Sequence, residues 1–343
     1  MALIGLRRFI ERQLHNRKRV ILVNTPEHFE HVLKTNFNNY IKGSIFRDQL
    51  KDILGRGIFV SDQEDWRFHR KTAANIFTTK LYRQLVTGAF QETGLDLCSV
   101  LDRHRVLHRP VDLQEQFLKL TLDAFGKLTF GAGRDTTAQG LSWQFYLLMT
   151  HPRVMKNLVR EIDTVLQGSH SYTYETMMHE LPYLKAVFHE TLRLYPPVPK
   201  NVKMAVDDDV LPGGLRVYRG DVIGISSYCL GRNKNVWGED AEQFVPERWL
   251  MDYGALSGEG AKANASPFGK FKAESPYKFT SFNAGPRLCL GQTFATLEAL
   301  VTSCMLLQRY DFKLVPGQAP ATPKPSVTIP MTNPLLTIVT ARQ

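Results

Sequence analysis

The chain has 343 residues, of which 43% are hydrophobic and 22% charged. That is enough for one large core or two ordinary domains, and it excludes disordered, collagenous and disulfide-miniprotein classes. The longest apolar runs, such as residues 20–23, fall far short of the ~20 residues that span a bilayer.

Residues 1–10 carry Arg7 and Arg8 with no cleavage site behind them, so neither a membrane anchor nor a signal peptide is expected. Lysine and arginine number 43 against 33 acidic residues, a net charge of +10. That excess suggests an anionic partner such as an acidic protein, a phospholipid surface or a nucleic acid. Cys98, Cys229, Cys289 and Cys304 contain no C-x-x-C pair, which indicates neither a zinc knuckle nor a disulfide framework.

Residues 1–19 form a basic start holding Arg7, Arg8, Arg12, Arg17, Lys18 and Arg19, and ordered structure is expected from Val20. Residues 20–24 read as a strand. Thr25-Pro26-Glu27 is a helix cap with proline in the first turn, followed by Phe29, Val32 and Leu33 at helical spacing. Helical periodicity continues through Phe68, Ile76, Leu81, Leu85, Phe90 and Leu97 as far as His108-Arg109-Pro110.

One helix is expected over 111–130, two over 139–167 split at His151-Pro152, and a short one over 183–194 ending at Tyr195-Pro196-Pro197. Residues 206–227 read as hairpin strands around Pro212-Gly213-Gly214, 252–275 as a loop and 290–308 as the last helix. The proline-rich remainder reads as short edge strands. With no repeat and no linker, residues 20–343 are expected to be a single domain, mainly α with a minor β lobe, an α+β fold.

The sharpest chemical signal is Phe282-Asn283-Ala284-Gly285-Pro286-Arg287-Leu288-Cys289-Leu290-Gly291, a cysteine in a glycine-bracketed loop just before the last helix. A helix N-terminus favours the thiolate, so Cys289 suits a ligand or a nucleophile. Gly285 and Gly291 leave room for a flat group near the backbone, Phe282 can screen the sulfur from water, and Arg287 offers a forked cation to a carboxylate. A small buried hydrophobe is the ordinary fate of a cysteine. Five fixed types in F-x-x-G-x-R-x-C-x-G argue against it here.

This pattern resembles the haem-binding loop of the cytochrome P450 monooxygenases. Glu190-Thr191-Leu192-Arg193 is similar to their E-x-x-R, whose i,i+3 spacing lets the two side chains pair on a helix. A second E-x-x-R occurs at Glu64 and Arg67. The flank 194–199 and the downstream Phe244-Val245-Pro246-Glu247-Arg248-Trp249 favour the first, and the resemblance implies a structural Glu190–Arg193–Arg248 triad. Trp66 and Arg70, at i,i+4, are similar to the family's haem-propionate clamp, against the plainer reading of a half-buried Trp with a snorkelling Arg.

Residues 132–137 resemble the acid–alcohol segment of the family's oxygen-side helix, which implies a proton relay by Asp135 and Thr136, against the plainer reading of an N-cap. His189-Glu190 lacks the second histidine of a zinc peptidase, since Arg193 stands in its place. His104 and His108 have no third ligand nearby and read as a solvated face.

The resemblance covers nearly everything after Val20 and looks closest to the fungal alkane and fatty-acid hydroxylase branch. It implies a haem-thiolate enzyme with Cys289 as the iron ligand and haem b (iron protoporphyrin IX) as cofactor. The implied reaction is O2-dependent hydroxylation of an aliphatic chain in an n-alkane or a fatty acid, an apolar small-molecule substrate. It also implies NADPH electrons arriving through a flavoprotein reductase, and the endoplasmic reticulum membrane as location, with peripheral membrane contact.

Two pieces of the family are not found: the membrane-anchor helix before the basic start, and the F–G helices that roof the substrate. Residues 111–131 run directly into Ala132-Gly133-Arg134-Asp135, which sets a deletion junction near 131–132 and predicts a continuous or sharply bent helical join. The rival expectation is a catalytically silent haem-binding remnant, or a chain that loads no haem. No nucleic-acid partner is expected, because the basic residues form no aromatic-interleaved motif.

Overall fold

Val20–Val23 forms strand β1, and the Thr25 hydroxyl caps helix α1 (Pro26–Glu30) by accepting from the His28 N–H at 3.4 Å. The structure, a computed structural model, describes residues 19–126, 134–253 and 267–342. Residues 1–18, the 131–132 junction and residues 254–266 of the expected loop lie outside that description.

Helices dominate. After α1 come α2 (Gly43–Leu54), α3 (Gln63–Ala74), α4 (Thr79–Thr87), α5 (Ala89–Val106), α6 (Leu113–Gly126), α7 (Arg134–Thr150), α8 (Pro152–Leu166) and α9 (Pro182–Leu194). Two single-turn helices, α10 (Ser227–Leu230) and α11 (Lys234–Trp237), precede the long α12 (Gln292–Arg309). Most of α12 is buried from Leu297 to Leu307. A helix covered on all sides needs no amphipathic stripe, and its apolar run places it at the centre of the large core. Around it pack α4, α5, α7, α8 and α9, and Leu101, Phe117, Trp143, Phe145, Ile162 and Phe188 of the same core are almost fully buried.

The β lobe is small. β2 (Tyr40–Ile41), β4 (Asn201–Ala205) and β7 (Val222–Ile225) join β1 in the order β1-β7-β4-β2, with β1 parallel to β7 and the other pairs antiparallel. Ile21, Val23, Phe29, Leu33, Ile223 and Ile225 fill a second, separate core beneath it. The hairpin around Pro212-Gly213-Gly214 is β5 (Asp209–Leu211) with β6 (Leu215–Val217).

Several boundaries differ from the sequence reading. Val111–Asp112 is strand β3, and helix starts only at Leu113, because β3 pairs with Leu336 and Thr337 from the far end of the chain. β11 (Leu336–Ala341) is the middle strand of the sheet β10-β11-β3, where β10 is Tyr310–Leu314; an edge strand had been expected. The prolines stop at Pro334, so β11 donates to both neighbours. The expected loop 252–275 follows strand β8 (Leu250–Met251) and contains that strand's antiparallel partner, β9 (Lys270–Phe271).

A straight continuous helix across 111–150 is excluded. Phe117 on α6 and Phe145 on α7 lie with ring centroids 5.1 Å apart, whereas 28 residues of unbroken helix would separate them by roughly 42 Å. The two helices fold back and pack side by side.

Candidate functional site

The loop 282–291 is held between the two cores. Phe282 packs against the large one, and Ala284 is buried in the small one. Asn283 and Gly285 take left-handed backbone conformations, with φ of 62° and 61°. A side chain at Gly285 would strike the Leu33 carbonyl, so glycine here serves the seat of the loop on residues 31–35. Around Gly291, by contrast, a Cβ would meet only the Cys289 Sγ, at 3.9 Å.

The Cys289 N–H donates to the Phe282 carbonyl at 2.8 Å, and Gly291 stands at the N-cap of α12. Cys289 is exposed as a residue, and the Phe282 carbonyl fixes its backbone. The protein packed around the sulfur pushes the thiol above its ordinary range; the Gly291 N–H and the Arg70 guanidinium act in the opposite sense. The helix terminus therefore opposes the raised pKa without reversing it.

Trp66 and Arg70 sit one turn apart on α3, against this loop. Trp66 is 6% exposed, and the Arg287 guanidinium lies over its ring at 4.4 Å. Arg70 donates to the Leu288 carbonyl. Arg287 donates through Nη2 to the Ser61 carbonyl and to Asp62 Oδ1, each at 2.9 Å. Its fork is thus already committed on one side to a protein carboxylate, while its Nε is buried with no hydrogen-bond partner.

Two lysines that the sequence reading did not select complete this corner. Lys42, just after β2, donates to Asn201 Oδ1 at 2.8 Å, and Lys203 on β4 is 1% exposed with its Nζ buried and unpartnered. Isolated lysines give no sequence signal. The β2–β4 pairing, Ile41 opposite Met204, is what brings them beside Arg287. Asp62 is the carboxylate they share, and it also accepts the Lys42 and Gly43 N–H groups at 2.8 and 2.9 Å.

Behind the loop, Glu190 is fully buried. Arg193 donates to it at 2.7 and 2.8 Å, Arg248 Nε at 2.9 Å, Trp249 Nε1 at 2.9 Å and the Val245 N–H at 2.9 Å. Arg193 also holds the Ala241 and Gln243 carbonyls. The competing pair Glu64–Arg67 is a surface bridge, with side chains 82% and 50% exposed. Ser281 Oγ, at the start of the loop, donates to the Leu192 carbonyl at 2.8 Å, which ties the loop to α9.

Asp135 and Thr136 lie half-buried in the first turn of α7; Asp135 is inside the helix and is not its cap. Thr137 is buried and hydrogen-bonds Glu298 of α12. His189 is buried among Trp249, Phe271 and Phe279, and burial pushes its pKa down to about 4. His104 bonds the Pro110 carbonyl, and no group of metal-ligating side chains occurs among the described residues. No helix among them is long and apolar enough to cross a membrane.

The sequence profile of the family described as cytochrome P450 matches residues 12–132 and 128–339. The chain is 28% identical to cytochrome P450 86B1 of Arabidopsis thaliana over 437 residues, covering 91% of this chain and 75% of that protein. It is also 28% identical to cytochrome P450 monooxygenase cyp1 of Mycosarcoma maydis over 453 residues, covering 94% and 68%. Over 211 residues, 62% of this chain and 38% of the relative, it is 40% identical to alkane hydroxylase MAH1 of Arabidopsis thaliana. Plant and fungal relatives both occur among these, so the comparisons do not single out a fungal branch. With its profile matching on both sides of residues 128–132, the chain belongs to the cytochrome P450 family and is an oxidoreductase of the monooxygenase type.

Proposed function

We propose that this chain is a haem-thiolate monooxygenase for an aliphatic C–H bond, with Cys289 as the residue whose sulfur would hold the iron. The family carries haem iron, and the residues at the site suit that group. Three buried cations, Lys42, Lys203 and Arg287, face one buried carboxylate, Asp62, and two of their nitrogens lack partners. A ligand bearing two carboxylates supplies the charge they lack.

Held on the Cys289 sulfur, haem iron would supply the activation of O2. The protein does the rest. Trp66, Arg70 and Arg287 grip carboxylates on one edge, Gly291 leaves space beside the sulfur, and the Glu190–Arg193–Arg248 triad with Trp249 keeps the loop in place. Asp135 and Thr136, in the first turn of α7, hold and pass the protons the reaction consumes.

The substrate reading, an n-alkane or a fatty acid, is supported by the 40% identity to a protein named an alkane hydroxylase. Electrons reach the site from NADPH through a flavoprotein reductase, and the +10 charge suits an acidic docking face. A peripheral contact with the endoplasmic reticulum membrane completes the assignment.

The observation that carries the proposal is a cysteine fixed at an α-helix N-terminus beside a buried, under-compensated cation cluster. Its test is the reduced carbon-monoxide difference spectrum of haem-supplied protein. A thiolate-type band is expected, and Cys289→Ser should abolish it; persistence of that band in the variant would overturn the assignment. The second reading, a silent haem-binding remnant, is favoured by one observation: the two profile matches overlap at residues 128–132 while the alignments to relatives exceed the chain's own length. Substrate-dependent turnover with reductase present separates the two.

A further inference from the structure

Lys42, Lys203 and Arg287 come from three segments, the end of β2, strand β4 and the Cys289 loop, and meet in the buried corner beside Trp66. The charged groups facing them are Asp62, which bridges to Arg287 at 2.9 Å, Arg47 on α2, half-exposed and 3.5 Å from Asp62, and Arg70 on α3. The Glu64–Arg67 pair nearby is satisfied at the surface. Among the described residues, three buried cations therefore share one carboxylate, itself already accepting two backbone N–H groups.

A buried cation without a counter-charge is costly, and the group able to release a proton does so. Arginine does not, so the adjustment falls on the lysines. Burial, reinforced by Arg287, pushes Lys42 down to about 7. Burial, with Lys42 and Arg287 beside it, holds Lys203 well below its ordinary value.

Resting on the haem reading above, we propose that the chain takes up protons from solvent as it binds a dicarboxylate tetrapyrrole, with the amines of Lys42 and Lys203 as the acceptors. Each acceptor gains one proton on Nζ and becomes the partner of a propionate; no bond breaks. The sign follows from linkage. While the lysines of the free chain are already charged, affinity is independent of pH. Once pH rises above their free-chain pKa, at about 7 for Lys42 and well below the ordinary lysine value for Lys203, binding must import protons, and affinity falls about tenfold per pH unit for each one.

The test uses the full chain and metal-free protoporphyrin IX, followed by fluorescence between pH 6.5 and 9 at fixed ionic strength. Without iron, the Cys289 proton does not enter the balance. The expected result is an affinity that falls about ten- to a hundredfold per pH unit above pH 7, and little slope for the dimethyl ester, which lacks the carboxylates. Lys203→Arg and Lys42→Arg, which keep the charge and cannot titrate, should each remove about one proton from the slope. Far-UV circular dichroism reports their folding, and if they unfold, the acid-against-ester comparison on the native chain decides. A flat profile for native protein, equal slopes for acid and ester, or folded arginine variants that keep the native slope would each overturn the inference while leaving the haem reading intact. Failure to bind either porphyrin, or haem, overturns both.

Discussion

Glu190 has five donors around its two oxygens, from α9, from the segment 245–249 and from the Trp249 indole. Removing it leaves Arg193, wholly buried, facing no anion. Glu190→Ala should therefore destabilise by about 3–5 kcal/mol and abolish haem loading, read by chemical denaturation and by the Soret absorbance. Glu64→Ala should stay within about 0.5 kcal/mol, because its bridge is solvent-exposed. The reverse order would show that the surface pair, and not the buried one, supports the loop. At this scale the sequence speaks where chemistry needs a fixed pattern, as in the Cys289 loop, and the structure buries Glu190–Arg193 while leaving Glu64–Arg67 at the surface. The sequence was silent on Lys42, Lys203 and Asp62, which lie far apart in the chain and acquire meaning only through strand pairing. It was also incomplete for Arg287, whose first partner is Asp62.

Between elements, single residues fix the geometry. Gly285 lets the Cys289 loop rest on the turn at residues 31–35, and Gly285→Ala must bear both a left-handed φ of 61° and a collision with the Leu33 carbonyl. A loss of about 2 kcal/mol or more is expected, measured by thermal unfolding; an unchanged melting temperature would show that the loop can move aside. On α8, Glu161 is buried and accepts the Tyr183 and Leu184 N–H groups, both at 2.7 Å, satisfying the first turn of α9. Burial raises its pKa to about 8, against the opposing pull of those two N–H groups. Between pH 4.5, its ordinary value, and about 8 the folded chain keeps a proton that the unfolded chain has released, so stability should fall as pH rises through that window. Glu161→Gln, which cannot ionise, should flatten this slope in urea midpoints taken from pH 5 to 8, and a variant that keeps the native slope would assign it to another group. Long helices such as α8, α9 and α12 were legible from periodicity and proline punctuation. β3 and the central place of β11 were not, because pairing between residues 111–112 and 336–337 leaves no local trace.

For the whole molecule the distinguishing feature is the route from α6 to α7. The rings of Phe117 on α6 and Phe145 on α7 meet, so the two helices pack against each other, and the alignments to relatives run over more residues than this chain possesses. The sequence reads as lacking the F–G segment because both flanking motifs stand side by side in it. The packing of α6 against α7 leaves no such local trace, since each helix is periodic by itself. If the haem lies between Cys289 and the start of α7, its substrate side has no F–G roof, and water reaches the reacting centre without passing Asp135 and Thr136. Reconstituted protein should then consume NADPH with little hydroxylated alkane or fatty acid formed, the electrons appearing mainly as hydrogen peroxide. Grafting an F–G segment from a full-length relative between Gly131 and Ala132 should raise product formed per NADPH without changing the carbon-monoxide spectrum, because the thiolate side is untouched. Product and peroxide measured against NADPH consumed decide the matter. Tight coupling by the native 343-residue chain would mean that another segment, such as residues 251–275, covers the site, and the open distal face would have to be given up.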